Sequence, residues 1–357
     1  MIIAIDASRA NKAQKTGVEW YAFHIIEQLK SLIDSSVRVI LYTDAPLQGS
    51  LAQLPKNWEV KMLRWPPKRL WTQLRLSMQM LVDRPDVLFI PAHVAPCIHP
   101  KKTVVTIHDI AGVRFPEVYS AFERWYSIFS AKRAMRKVSD VVVPTEYTKQ
   151  EILDVFGEGA AAMHVIGHGY DTGYAKEKPK PSSYGTYFLS ISRIEHKKNT
   201  IGIVKAFELY AKNHVDVSLV LAGKPGYGYD EVVQAITKSD VKKRIHMLGY
   251  IPQQKAYALM QHAEAFVYPS LYEGFGMPIL EAFAAKTPVI TSSTTSTAEV
   301  AGDAALLVNP TNITAIAAAM EQVSKEREAL TTKGADRLKD FSWKKAAKEY
   351  ANIFQKK

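Results

Sequence analysis

The chain has 357 residues, of which 47% are hydrophobic and 23% charged, and a formal net charge of +11. That length accommodates two domains of ordinary size, and that balance excludes a disordered or fibrous chain. The single cysteine, Cys97, excludes an internal disulfide and favours a reducing compartment, and no run of about 18 apolar residues marks a membrane span.

In chain order, Met1–Ala7 reads as a buried strand, too short for a secretory leader and interrupted by Asp6. The polar loop Ser8–Gly17 leads into a helix whose apolar residues Val18, Tyr21, Ala22, Ile25 and Leu29 fall on one face. Strand, glycine loop and helix open a Rossmann-like unit. The G-x-G-x-x-G pattern is missing, so a dinucleotide cofactor is not indicated; Gly17 either admits a phosphate or makes a turn. Apolar strands recur at Val37–Tyr42, Val87–Pro91, Val104–His108, Val138–Val143 and Val165–Ile166. Helical patterns lie between them at Leu70–Val82, Phe122–Lys137 and Glu146–Phe156. The alternation predicts a parallel sheet covered on both faces. It places His108 at the carboxyl edge of that sheet, where such sheets bind ligands. Asp109 beside it either orients it or points to the opposite face.

Two windows are basic. Lys56, Lys61, Arg64, Lys68, Arg69, Arg75 and Arg84 surround Trp58, Trp65 and Trp71; Arg124, Lys132, Arg133, Arg136 and Lys137 are interleaved with Trp125, Tyr126 and Phe129. Basic residues mixed with tryptophan fit peripheral contact with an anionic membrane. A solvated basic face tuned to anionic substrates fits equally. No helix-turn-helix, RNA-binding or zinc signature points to nucleic acid. Cys97 between His93 and His99 offers too few soft ligands for a metal site.

Gly167–Tyr184, with its glycines, prolines and lysines and no periodicity, reads as a linker. The alternation then restarts, with strands at Tyr187–Ser192, Ser218–Ala222, Ile245–Leu248, Ala265–Tyr268, Val289–Thr291 and Ala305–Val308. The expected organisation is a first domain over 1–170, a linker over 171–184, a second Rossmann-like domain over 185–340 and a C-terminal helix over 341–357.

Candidate chemistry gathers at the strand ends of the second domain. Ser192–Asn199 carries Arg193, a planar fork for phosphate oxygens, and Lys198, a point charge. Gly223 opens a loop that either lines a nucleotide or simply turns, and Ile251 lies where backbone can hold a base. In Tyr268–Ile290, glycines Gly274 and Gly276 feed a helix beginning near Pro278, a ready anion site. Glu273 and Glu281 flank it, eight residues apart. A phosphate site between two carboxylates fits a ligand with hydroxyl-rich groups at both ends of a phosphate, as in a nucleotide sugar.

These residues resemble the retaining GT-B glycosyltransferases of group 1, glycosyltransferase family 4. The motifs are E-G-F-G-M-P-I-L-E from Glu273 to Glu281, with T-G-V-E, T-I-H-D, V-P-T-E-Y-T-K, V-I-G-H-G-Y-D and S-R-I-E-H-K-K-N in support. The resemblance implies an α/β fold of two Rossmann-like doubly wound domains facing a central cleft, with the C-terminal helix returning to the N-terminal domain. It implies that Glu273 and His108 contact the donor sugar, that Arg193 and Lys198 neutralise the leaving diphosphate, and that Glu281 binds the ribose. Backbone of Phe275, Gly276, Met277 and Pro278 would meet sugar or phosphate, Gly17 would approach the diphosphate, and Ile251 would hold the base. It implies no metal and no cofactor beyond a GDP- or UDP-linked sugar. GDP-mannose is favoured over UDP-glucose and UDP-N-acetylglucosamine, with a saccharide or lipid-linked acceptor on the cytoplasmic side of a membrane. One departure, Gly167-His168 where many members have Pro-Asn, is expected near the hinge and away from donor chemistry. The rivals are a nucleotide-sugar epimerase, which the two-glutamate motif disfavours, and a non-catalytic two-lobed binding protein.

Overall fold

The computed structural model describes residues 1–65, 70–170 and 183–356. Lys68 and Arg69 of the first basic window, and residues 171–182 of the expected linker, lie outside the described residues. The chain divides into two compact units, Met1–Gly169 with Phe341–Lys357, and Tyr170–Asp340.

The first unit is built on seven strands: β1 (Ile2–Asp6), β2 (Arg38–Thr43), β3 (Trp58–Met62), β4 (Val87–Ile90), β5 (Lys102–Thr106), β6 (Asp140–Val143) and β7 (Ala162–Val165). They lie in the order β3-β2-β1-β4-β5-β6-β7, every pair parallel. The central strands are buried along nearly their whole length, as a sheet covered on both faces requires. The helices are α1 (Gly17–Leu32), α2 (Ser77–Asp83), α3 (Ala111–Arg114), α4 (Ala121–Lys137) and α5 (Glu146–Phe156). A wider helical turn, Trp71–Leu76, leads into α2.

Strand β3 is absent from the sequence reading, and it corrects the first basic window. Trp58 is buried, Glu59 and Lys61 are partly buried, and Val60 and Met62 are exposed. Trp58 is core, and Trp71 is buried with its indole N–H donating to the Leu63 carbonyl at 2.8 Å. Lys61 pairs with Asp83 at 2.6 Å. Two of the three tryptophans expected at a lipid surface are therefore interior.

The second unit holds β8 (Thr186–Ile191), β9 (Val217–Ala222), β10 (Ile245–Met247), β11 (Ala265–Tyr268), β12 (Val289–Ser292) and β13 (Leu306–Val308), in the order β10-β9-β8-β11-β12-β13. All are parallel. Its helices are α6 (Thr200–Ala211), α7 (Tyr229–Lys238), α8 (Gln253–His262), α9 (Met277–Ala284), α10 (Ser296–Ala301) and α11 (Ile313–Arg337). The apolar faces of α6 and α11 close one core, around Phe188, Phe207 and Met320.

After α11 comes α12 (Trp343–Gln355), which packs on α1 and belongs to the first unit. Tyr350 and Phe354 stack against Phe89 of β4, with ring centroids 4.8 and 5.4 Å away. The Tyr350 hydroxyl joins those of Tyr21 and Thr106 in one buried cluster. Where the first unit's chain ends at Gly169, a Cβ would sit 2.1 Å from the Trp343 backbone nitrogen. The departing and returning strands of chain thus cross at a point only glycine allows. No helix among the described residues is long and apolar enough to cross a membrane.

Because α12 completes the first unit's core, Phe354→Ala is expected to cost about 3 to 5 kcal/mol. All six tryptophans lie in the first unit, so urea unfolding followed by tryptophan fluorescence isolates the effect. An unshifted midpoint would show that α12 contributes nothing to that core.

Candidate active site

In the second unit, β8 lies between β9 and β11. Right-handed crossovers send the connections from β8 and β11 to opposite faces of the sheet, opening a crevice at their carboxyl ends. Hydrogen bonds tie the loops around that edge to one another. The loop after β8 runs against the loop after β9, with Ile194 N–H donating to Lys224 O and Gly226 N–H to Ile194 O, both at 2.9 Å. The loop after β9 holds the next one through Gly223 N–H to Gly249 O at 2.8 Å. On the other side Leu271 N–H donates to Lys197 O at 2.9 Å, and the Ser296 hydroxyl donates to Glu273 O at 2.7 Å.

Glu273 sits at the centre of this network, with its side chain only 10% exposed. Its Oε1 accepts from Lys198 Nζ at 2.5 Å and from the Tyr268 hydroxyl at 2.6 Å, and Lys198 Nζ is also 3.2 Å from that hydroxyl. Burial pushes the Glu273 carboxyl up, but the ammonium groups of Lys198 and Lys197, with the hydrogen bonds, outweigh it and hold the carboxyl below its ordinary range. Burial and the neighbouring carboxylate hold the Tyr268 phenol well above its own. The site is thus an ionised carboxylate with a shared cation and a neutral phenol. Tyr268 was legible only as the end of a strand; its place beside Glu273 depends on the loop folding back five residues later.

Arg193 differs from Lys198. Its side chain is 61% exposed, and its nearest charged neighbour is Glu195, 4.0 Å away. Asn199 takes the left-handed conformation at φ 56° and donates to the carbonyls of Pro269 and Pro310, pinning the loop that carries both cations. Gly276, at φ 105°, caps α9, whose first residues are Met277 and Pro278. A Cβ on Gly276 would come 3.1 Å from Thr297 Cγ2. Phe275 is buried, and Glu281 lies one turn into α9, partly exposed. Pro278 has no N–H and Ile279 N–H donates to Gly276 O at 3.0 Å, so it is chiefly the dipole of α9 that favours an anion at its start. Gly223 has a structural reason to be glycine, because a Cβ there would fall 1.6 Å from the Ser192 carbonyl oxygen. Ile251 is buried just beyond Gly249.

The first unit brings its own candidates together at the carboxyl end of its sheet. Gly17 begins α1, where Thr16 N–H donates to Glu19 Oε2 at 3.1 Å. Tyr21, one turn later, sets its ring edge-on to His108 at 4.6 Å. His108 Nε2 donates to the Pro91 carbonyl at 3.2 Å. Asp109 beside it favours the protonated imidazole electrostatically, against burial, and its carboxylate accepts from Ala111 N–H at 2.9 Å. His168, expected at a hinge away from the chemistry, is buried with its ring 5.6 Å from His108 and 4.7 Å from Tyr21. The sequence gives no sign of this, since the contact joins strand ends distant along the chain. His93, in the loop after β4, joins them electrostatically.

Burial lowers the imidazoles of His108 and His168 and brings His93 down to about 4. The sign of the consequence is fixed. Between pH 6.5 and about 4 the unfolded chain binds protons that the folded unit refuses. Stability from these groups is therefore complete above pH 6.5 and lost as pH falls through the folded values. The tryptophan-fluorescence melting midpoint is expected to fall steadily across that window; a flat profile would exclude buried neutral imidazoles.

Comparisons with known proteins agree with this fold. The profile for glycosyl transferases group 1 matches residues 164–340, and that for glycosyltransferase family 4 matches residues 15–174. O-antigen chain mannosyltransferase B of Escherichia coli is 29% identical, over 98% of this chain and 99% of its own. O-antigen chain mannosyltransferase RfbU of Salmonella typhimurium is 22% identical, over 92% of each. The solved sucrose-phosphate synthase of Thermosynechococcus elongatus is similar in fold, with a TM-score of 0.76 over 99% of this chain and 98% of its own at 16% identity. With two doubly wound units and this loop architecture, the chain belongs to the group 1, family 4 glycosyltransferases and has the GT-B fold.

Proposed function

We propose that this glycosyltransferase moves mannose from GDP-mannose, with retention and without a metal, to a saccharide or lipid-linked saccharide on the cytoplasmic side of a membrane, in surface polysaccharide synthesis. One observation carries the choice of sugar: a mannosyltransferase of O-antigen chains aligns with this chain from end to end. The arrangement around Glu273 supports the type of chemistry.

Breaking the bond between the anomeric carbon and the diphosphate builds positive charge on the sugar and negative charge on the leaving oxygen. Arg193, Lys198 and the first turn of α9 stabilise the latter in a site already organised for it. Glu273, kept ionised, accepts hydrogen bonds from sugar hydroxyls and balances Lys198 while the donor is absent. Glu281 takes the ribose hydroxyls, and backbone at Ile251 takes the base. Gly17 gives the first unit's backbone access to the diphosphate, and His108, neutral at pH 7, hydrogen-bonds a sugar hydroxyl. The acceptor oxygen forms the new bond to the anomeric carbon, and its proton passes to the departing phosphate oxygen.

Incubation with a panel of GDP- and UDP-sugars, scored by nucleotide release, tests the donor. Release is expected from GDP-mannose and to persist in EDTA; a UDP-sugar as the sole substrate would replace the donor, and a metal requirement would remove that part of the reading. Lys198→Ala and Arg193→Ala are each expected to lower kcat by about 100- to 1,000-fold, the usual cost of losing one preorganised group that stabilises developing charge. Glu273→Gln should fall comparably. Full turnover in all three variants would refute these roles.

A further inference from the structure

The second basic window forms a surface to which the donor site described above assigns no residue. Among the described residues, exposed large apolar side chains are few elsewhere, Val60 and Met62 on β3 among them, and gather in one part of the first unit. There, the turn into α2, α2 itself and α4 expose Leu74, Met78, Leu81, Phe122, Trp125 and Phe129. The segments are contiguous. Arg133 of α4 donates to the Cys97 carbonyl at 2.8 Å, and Cys97 N–H donates to Ser77 Oγ of α2 at 2.8 Å.

On α4 the exposed face has a directional composition. Trp125, Phe129, Lys132 and Arg136 recur at i, i+4, i+7 and i+11, so they share one stripe. All four are exposed, while Ala131, Ala134 and Met135 on the opposite face are core. The rings are aligned on the surface: Trp125 stacks on Phe129 with centroids 5.4 Å apart, and Phe122 on Tyr126 at 5.8 Å. Among the described residues, Arg124, Lys132, Arg136 and Lys137 take part in no ion pair, whereas Glu123, in the first turn, is bonded to Ser120. The stripe is thus apolar for its first two turns and cationic for the next two.

We infer that this face docks on an anionic lipid surface, with Trp125 and Phe129 entering the headgroup boundary and Lys132 and Arg136 meeting lipid phosphates. Charge chooses the occupant. A second copy of this surface would bring like charges together, whereas an anionic bilayer offers both the apolar depth for the rings and the negative potential for the bases. An aromatic side chain with a polar rim is suited to that boundary. The inference does not rest on which sugar is transferred.

The test uses the full chain and vesicles of phosphatidylcholine, with and without phosphatidylglycerol, in a sedimentation assay. Binding is expected only with the anionic lipid, with a blue shift of tryptophan emission that Trp125→Phe removes, and with weakening as salt rises. Trp125→Ser with Phe129→Ser, and separately Lys132→Glu with Arg136→Glu, should each weaken binding about tenfold or more. Both double variants replace exposed residues, so melting midpoints and nucleotide release from the donor should match the parent. Three results would overturn the inference: no binding to anionic vesicles, equal binding to neutral ones, or binding that both double variants retain. Loss of a dimer by the variants in sedimentation, without an effect on vesicles, would instead assign the face to a second copy or another protein. Loss of nucleotide release with vesicle binding intact would bear on the transfer reading alone.

Discussion

An ammonium and a carboxylate leave water together where Lys198 meets Glu273, and much of the second unit follows from that pairing. Either charge buried alone would cost several kcal/mol, and the pair recovers that cost only if its geometry is held. The two residues belong to loops from neighbouring strands, so both loops must be immobile. Asn199 fixes one by bonding two distant carbonyls, and Ser296 fixes the other by holding the Glu273 backbone. The crowding that makes Gly223 obligatory belongs to the same edge, where loops run close enough to bond along their backbones. An enzyme that must stabilise a leaving diphosphate benefits from cations that are already in place, since no reorganisation is then needed as charge develops.

The first unit meets a similar requirement around His108 with neutral groups. Beside the ion-paired carboxylate of Asp140 it buries a cluster of hydroxyls and imidazoles. Tyr21, Thr106 and Tyr350 satisfy one another, and His108 is bonded to a strand end while resting against Tyr21. The position of His108 is therefore linked to α1, to β5 and, through Tyr350, to a helix that follows the whole second unit in sequence. A buried network of this kind fixes one arrangement because any slip leaves a polar atom unpaired.

Much of this was legible before the structure. Near-continuous apolar runs separated by helical periods marked two parallel sheets, and the glycine-bearing loop was legible as the lead into a helix, α9. What stayed hidden has a common cause. Strand β3 alternates tryptophan, valine and methionine with charged residues, so composition disguised it, and the same disguise placed Trp58 and Trp71 at a surface when they are interior. Glu273 and Lys198 were each identifiable from their motifs, but their mutual contact, across 75 positions of sequence, was not. Tyr268 and His168 looked like a strand terminus and a hinge residue. Their importance is tertiary, created by which strand ends the topology makes neighbours.

The return of α12 to the first unit has a consequence for biosynthesis. The second unit is continuous in sequence and can be completed as soon as it emerges from the ribosome. The first unit, although made earlier, lacks Tyr350 and Phe354 until those residues are translated. At about 5 to 20 residues per second, its α1 face and the end of β4 wait roughly ten to forty seconds for their covering helix. The domain that begins synthesis is the one that finishes folding last, with an apolar surface open to chaperones throughout the interval.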